Sequence, residues 1–128
     1  MKKLNRLCTH WLNAYAPPLI WAAVIFFLSS QSALPSFSEN IADFFFKKTA
    51  HVVTYLVLYI LLFRGYKITH PHIKNEYRWI FPLTLTFMYA VIDEIHQTFT
   101  PGRYGTLRDI GFDMVGVSLW FLRQYKYI

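Results

Sequence analysis

Charged side chains are scarce in this sequence. They make up 16% of its 128 residues, whereas a soluble domain carries about 25%. Apolar residues reach 55%, so the chain has too few charges to cover a water-soluble surface of this size. The shortage argues against an ordinary soluble domain and favours a protein whose surface meets lipid.

Cysteine and acidic residues are also few. Cys8 is the only cysteine, which excludes an internal disulfide and a metal site built from cysteines. The 7 acidic residues against 13 basic ones give a net charge of +6. In a soluble protein that excess would suggest nucleic acid. Here the basic residues lie between apolar runs, so we expect membrane lipids as partners and no nucleic acid.

Long apolar segments dominate what is present. Four of them approach the roughly 20 residues that a helix needs to cross about 30 Å of hydrocarbon. We therefore predict an all-α polytopic membrane protein, a bundle of four transmembrane helices forming a single domain over residues 1–128. The first segment also fits a signal peptide cleaved near residues 30–32, but its long basic leader favours a retained helix. The predicted helices cover about residues 11–30, 44–63, 79–99 and 109–125.

Lys and Arg are distributed unevenly among the predicted loops. With the N-terminus inside, four basic residues lie outside and nine lie inside. By the positive-inside rule this predicts a multi-pass protein with both termini in the cytoplasm. The nine inner residues are Lys2, Lys3, Arg6, Arg64, Lys67, Lys74, Arg78, Arg123 and Lys126.

The ionisable residues at membrane depth gather near the outer end of this predicted bundle. A charge that faces lipid costs at least about 2.5–3.5 kcal/mol, so we expect their helix faces to turn inward and meet. We expect one connected cluster, in which Lys48 pairs with Asp93 or Glu94. Its members are Lys48 and His51 on the second helix, Asp93, Glu94 and Gln97 on the third, Arg103 in the loop, and Asp109 and Asp113 on the fourth.

Several nearby residues have simpler structural interpretations. The spacing of Thr106 and Asp109 predicts a capping box for the fourth helix. Pro101-Gly102 predicts a turn, and Gly116 is typical of close helix packing. Tyr55 is expected in the bundle core or the aromatic belt.

Three stretches of the sequence together match the pattern of one known family. They are residues 93–99 (DEIHQTF) with 101–103 (PGR) and Asp109, residues 48–51 (KTAH) with Tyr55, and, more weakly, residues 27–31 (FLSSQ). Through them the sequence resembles the VanZ-like family, named for a teicoplanin-resistance determinant. Asp113 stands where members of that family often carry Asn, which adds an acid to the cluster. The resemblance implies a bacterial protein of the cytoplasmic (inner) membrane, associated with low-level resistance to glycopeptides that bind wall precursors outside the membrane.

Two functions of different class follow from these residues. In the first, the chain is an enzyme whose catalytic candidates are Asp93, Glu94 and His51, with a carboxylate as general base. The candidates for binding a phosphate or carboxylate of an envelope lipid or wall precursor are Lys48, Gln97, Arg103, Asp109 and Asp113. In the second, the network is not catalytic, and it binds a lipid headgroup or only fixes helix packing. Transport is a less favoured third function, because four short helices offer little pathway without oligomerisation.

A metal site is not favoured by the spacing of the acids. Asp93, Glu94 and Asp109 carry the oxygen ligands that divalent cations use. Their spacing matches no established metal signature. We therefore expect no cofactor, with a divalent metal held by these three acids as the less favoured alternative.

Overall fold

Four α-helices account for most of the chain. The computed structural model describes the backbone of residues 2–32, 41–103 and 105–128, and the side chains of these residues except 2–7 and 42–44. A short 3₁₀ turn, Asn75–Tyr77, is the remaining helical element, and these ranges contain no strand, which confirms the all-α prediction. The helices are α1 (Lys2–Ser29), α2 (Ile41–Thr69), α3 (Ile80–Thr98) and α4 (Leu107–Gln124).

The first two helices are longer than predicted. Helix α1 begins at Lys2 instead of near residue 11, and α2 continues past residue 63 to Thr69. Pro71 explains the end of α2, because the residue before a proline is pushed out of the α conformation. The basic residues at 64 and 67, predicted to lie in a loop, are therefore part of a helix.

Helix α1 continues without a break through Pro17 and Pro18. A proline lacks the amide hydrogen that would bond the carbonyl four residues earlier. For Pro17 that carbonyl belongs to Asn13, and Arg64 Nη1 on α2 donates to it at 3.3 Å. The neighbouring helix thus supplies the donor that the proline removes, as is usual in membrane helices.

Apolar and polar side chains are distributed in the reverse of a soluble protein. Large apolar residues lie on the surface of every helix, such as Phe27 (65% exposed) and Ile92 (59%). Glu94 and Asp113 are 4% and 0% exposed. Charged side chains buried beneath an apolar exterior are the arrangement that a lipid environment requires.

Two of the four helices are long and apolar enough to cross a membrane, counting only the part of the chain that the structure describes. They cover Cys8–Ser29 in α1 and Phe45–Thr69 in α2. Helices α3 and α4 are shorter, with 19 and 18 residues, and α4 carries charges at both of its ends. Four crossings therefore stay a prediction.

Helix α2 holds the bundle together, because it packs against α1, α3 and α4. The core cluster contains Ile25, Tyr55, Leu58 and Ala90 from α1, α2 and α3. On α4, a Cβ atom added to Gly116 would lie 2.8 Å from Val52 Cγ1. The missing side chain thus allows α4 to approach α2 closely, which is the role that the sequence predicts for this glycine.

Candidate functional site

One end of the bundle, called the polar end below, is formed where α1 and α3 finish and α2 and α4 begin. A cavity of about 520 Å³ opens there between the helices. One part of its wall is apolar, with Ile25, Leu28, Phe46 and Ala50. The polar lining includes Ser29, Lys47, Lys48, His51, Tyr55, Asp93, Gln97, Arg103 and Asp109.

Asp93 is the centre of a hydrogen-bond network that joins three helices. Its Oδ2 accepts from Ser29 Oγ on α1 at 2.8 Å, from Tyr55 OH on α2 at 2.9 Å and from Gln97 Nε2 on α3 at 3.0 Å. Gln97 Nε2 also donates to Ser29 Oγ at 3.3 Å. Donors from three helices thus converge on this oxygen, which fixes the relative positions of α1, α2 and α3.

Lys48 pairs with Asp109, in the first turn of α4. The predicted pairing with Asp93 or Glu94 was therefore wrong. The physical reason is the position of each residue along the bundle. Lys48 and Asp109 both lie in the opening turns of their helices, at the same end. Asp93 lies deeper in the bundle, against Ser29 and Tyr55. The Lys48 ammonium also lies 5.3 Å from the centre of the Phe112 ring, a cation–π distance.

Glu94 caps helix α4 from a different helix. Thr106 is the N-cap of α4, and its Oγ1 accepts from the Asp109 backbone N–H at 3.3 Å, as predicted. In a capping box the acid of the same helix would bond the Thr106 N–H in return. Here Glu94 Oε2 on α3 accepts that N–H at 2.9 Å, which leaves Asp109 to pair with Lys48. The other oxygen, Glu94 Oε1, is buried without a hydrogen bond to any described residue.

His51 and Asp113 form the second link between α2 and α4. His51 Nδ1 lies 2.9 Å from Asp113 Oδ1, while Asp113 Oδ2 is buried and has no partner among the described atoms. Ligand atoms of His51, Glu94 and Asp113 all lie within 4.8 Å of one another. This trio differs from the set that the sequence suggested for a metal, because it replaces Asp93 and Asp109 with His51 and Asp113.

Arg103 reaches the cavity from the loop between α3 and α4. Its backbone N–H donates to Thr100 O at 3.1 Å, and Gly102 between them has φ +78°, which confirms the predicted turn. Arg103 Nη2 is buried and bonds to none of the described residues. Burial lowers the pKa of this guanidinium, and the carboxylates of Asp93 and Glu94 oppose that shift.

The structure thus brings all eight predicted site residues to the polar end. Ser29 was not predicted as a residue of the site, and Tyr55 was predicted only for the bundle core or the aromatic belt. Both donate a hydrogen bond to Asp93. The serines at the end of α1 were noted only within the family resemblance. His96 is not part of the cavity lining, and its ring stacks on Phe26 at 4.6 Å between centroids.

A family model described as VanZ/LLP1 matches residues 15–124. The chain belongs to the VanZ/LLP1 family. The match spans α2, α3, α4 and the second half of α1, and it contains every site residue described above. VanZ proteins are a membrane family, in agreement with the apolar exterior. Comparisons with curated proteins and with solved structures give no match.

Proposed function

We propose that this VanZ-like protein binds an anionic amphiphile of the cell envelope, a membrane lipid or a lipid-linked wall precursor, in the cavity at the polar end. The proposal depends chiefly on the Nη2 atom of Arg103. It is a buried guanidinium nitrogen beside a cavity and has no hydrogen-bond partner among the described residues. A buried donor left unsatisfied costs about 1–3 kcal/mol, and a phosphate or carboxylate would satisfy it.

The composition of the cavity wall supports a ligand with an anionic head and an apolar tail. Lys47, Lys48 and Arg103 place cationic groups along it, and Phe46 and Leu28 place apolar surface beside them. A volume of about 520 Å³ lies within the range of ordinary ligand pockets, about 300–1,000 Å³. Arginine suits a phosphate or carboxylate because its planar fork donates two parallel hydrogen bonds.

The proposed orientation places the polar end on the outer face of the bacterial cytoplasmic (inner) membrane. With both termini in the cytoplasm, the basic residues concentrate on the inner side. The link to glycopeptide resistance, which the family resemblance implies, fits a ligand on that outer face, where such antibiotics bind wall precursors. A multi-pass arrangement with four crossings belongs to the same proposal.

The test compares two arginines near the start of α4. Arg103 lines the cavity, whereas Arg108 is exposed and outside the cavity lining. A polyprenyl phosphate and phosphatidylglycerol are titrated separately into the purified protein in neutral detergent, with Kd read by microscale thermophoresis. We expect Arg103→Gln to raise Kd at least about tenfold, since a hydrogen bond to a charged group contributes about 1.5–3 kcal/mol.

Arg108→Gln removes the same charge and should change Kd less than about twofold. If both variants weaken ligand binding equally, the arginines act only through non-specific charge attraction, and the proposed site is refuted. If neither ligand binds the folded wild type, the proposal is wrong. Preference for one of the two ligands distinguishes a wall-precursor carrier from a bulk lipid.

The hydrogen bonds that Asp93 accepts favour a second, non-enzymatic function that is purely structural. Three protein donors from three helices converge on one oxygen, which is the pattern of a network that specifies helix packing. In that function the polar end only keeps the helices in register. In that case neither ligand would bind saturably to the folded wild type, and Asp93→Leu would lower the thermal stability.

A further inference from the structure

Two carboxylate oxygens at the polar end are buried without a hydrogen bond. Glu94 Oε1 and Asp113 Oδ2 have no partner within the described part of the chain, and their residues are 4% and 0% exposed. The second oxygen of each carboxylate is occupied, by the Thr106 N–H and by His51 respectively. A carboxylate withdrawn from water with half of its acceptors empty is costly, so both side chains favour a cation or a donor beyond those that the described residues supply.

His51 completes a group of three potential ligands from three helices. One ligand atom each from His51, Glu94 and Asp113 lies within 4.8 Å of the other two. His51 Nδ1 and Asp113 Oδ1 are 2.9 Å apart. Adjacent ligands at about 2.1 Å from one ion lie about 3.0–3.4 Å apart, so small side-chain movements would bring the three atoms onto a single ion.

The local charge also favours a cation. Lys48 is paired with Asp109. Asp113 lies near two further acids, Asp93 and Asp109, and the group of opposite sign acting on it is His51. Glu94 lies near Asp109 and Asp113 in turn. The Arg103 guanidinium also lies near Glu94, but within the trio itself two buried carboxylates face one imidazole. A divalent ion there provides two positive charges at one point.

From these observations we infer that His51, Glu94 and Asp113 form a binding site for a divalent transition-metal ion such as Zn²⁺ or Mn²⁺. One imidazole and two carboxylates suit ions of this class. Ca²⁺ needs six to eight oxygen ligands, and Mg²⁺ accepts imidazole poorly. His51 lines the cavity, so the ion is reached from there. This metal site does not depend on the anionic ligand proposed above, because its test uses the metal ion alone.

The test is stoichiometric binding of the metal alone. The untagged protein in neutral detergent is stripped with a chelator and dialysed against Zn²⁺ or Mn²⁺, and bound metal is counted by mass spectrometry of the elements. We expect one equivalent for the wild type. Loss of an outer-shell partner costs about 10–100-fold in affinity, so losing a ligand in Asp113→Asn or Glu94→Gln should cost more than about 100-fold.

The matched control is Glu76→Gln, the same change as Glu94→Gln at an exposed acid in the 3₁₀ turn between α2 and α3. It should keep the wild-type affinity within about threefold. Spin-echo spectroscopy of bound Mn²⁺ gives a second measurement, in which the imidazole nitrogen coupling of the wild type should vanish in His51→Gln. No bound equivalent in the folded wild type, or equal binding by Asp113→Asn and wild type, would overturn the site.

Discussion

The two ends of the bundle use polar side chains in different ways. At the polar end, side chains bond side chains across helices, as in Ser29 with Asp93 and Lys48 with Asp109. At the other end, called the loop end because residues 70–79 join α2 to α3 there, side chains mostly bond backbone carbonyls. Arg78 donates from Nε to Ile73 O at 2.8 Å and from Nη2 to Pro71 O at 2.7 Å.

This difference distinguishes the loop end, where polar side chains hold the structure together, from the polar end, where we propose that a ligand binds. A carbonyl bonded by the half-buried Arg78 is satisfied. A buried polar atom that lacks a partner at the described part of the loop end is Gln124 Oε1, an uncharged amide oxygen. At the polar end, Glu94, Arg103 and Asp113 each keep one buried polar atom without a partner among the described residues. Such atoms are costly when left empty. Among the described residues, the buried unpartnered atoms that belong to Asp, Glu or Arg side chains all lie at the polar end, which indicates where a ligand belongs.

The largest expected effect comes from removing the acceptor at the centre of the polar end. Asp93→Leu leaves the donors of Ser29, Tyr55 and Gln97 buried without their acceptor, so we expect a loss of about 3–5 kcal/mol in the free energy of unfolding. Arg78→Met is the loop-end counterpart and should cost about 0.5–1.5 kcal/mol. Thermal unfolding in detergent, followed by tryptophan fluorescence, measures both. Equal losses would abolish the distinction between the two ends.

A substitution without charge tests whether the polar end depends on helix spacing. A Cβ atom at Gly116 would lie 2.8 Å from Val52 Cγ1 and 2.9 Å from Val52 O. Gly116→Ala should therefore push α4 from α2 and cost about 1–3 kcal/mol. At Gly111 an added Cβ would meet nothing within 4 Å, so Gly111→Ala should be neutral or stabilise α4 by up to about 1 kcal/mol.

The same two variants also bear on the site. Both links between α2 and α4 at the polar end, Lys48–Asp109 and His51–Asp113, cross this packed surface. Gly116→Ala should weaken binding at the polar end, and Gly111→Ala should not. Full binding by folded Gly116→Ala would show that the site tolerates a wider separation of the helices.

A smaller effect is expected at the Lys48–Asp109 pair, whose side chains are 16% and 14% exposed. Lys48→Met leaves the Asp109 carboxylate without its partner and should cost about 1–2 kcal/mol. Adding Asp109→Leu should recover part of that loss, because apolar packing can replace an ion pair that is only structural. A double variant whose loss equals the sum of the two single losses would show that the pair is not coupled.

The sequence was sufficient for the presence of four helices and for the eight site residues that it named, but not for Ser29 and Tyr55 as partners of Asp93. Apolar length predicted four helices, and the cost of exposing charge to lipid predicted that Asp93, Glu94 and their neighbours would turn inward. The family resemblance, confirmed over residues 15–124, rested on the same residues. These predictions depend on composition and spacing within one segment, which a single sequence contains.

Pairing partners could not be predicted in the same way. Lys48 was expected to bind Asp93 or Glu94 and binds Asp109 instead, because partner choice depends on the depth and rotation of each helix. The capping of Thr106 by Glu94 joins two helices and has no local signature. The trio His51, Glu94 and Asp113 has ligands on three helices, so no spacing in the sequence could reveal it.

The central claim is that the buried groups at the polar end acquire their partners from a ligand. Side-chain ¹⁵N and ¹H NMR of the arginines in detergent micelles tests it directly at Arg103 Nη2. When a polyprenyl phosphate or phosphatidylglycerol is added, the Arg103 guanidinium signals should shift and their hydrogens should exchange more slowly with water, because a new acceptor holds them. The signals of exposed Arg108 should stay in place. Arg103 signals that do not change while the ligand is bound, or that shift no more than those of Arg108, would contradict the claim.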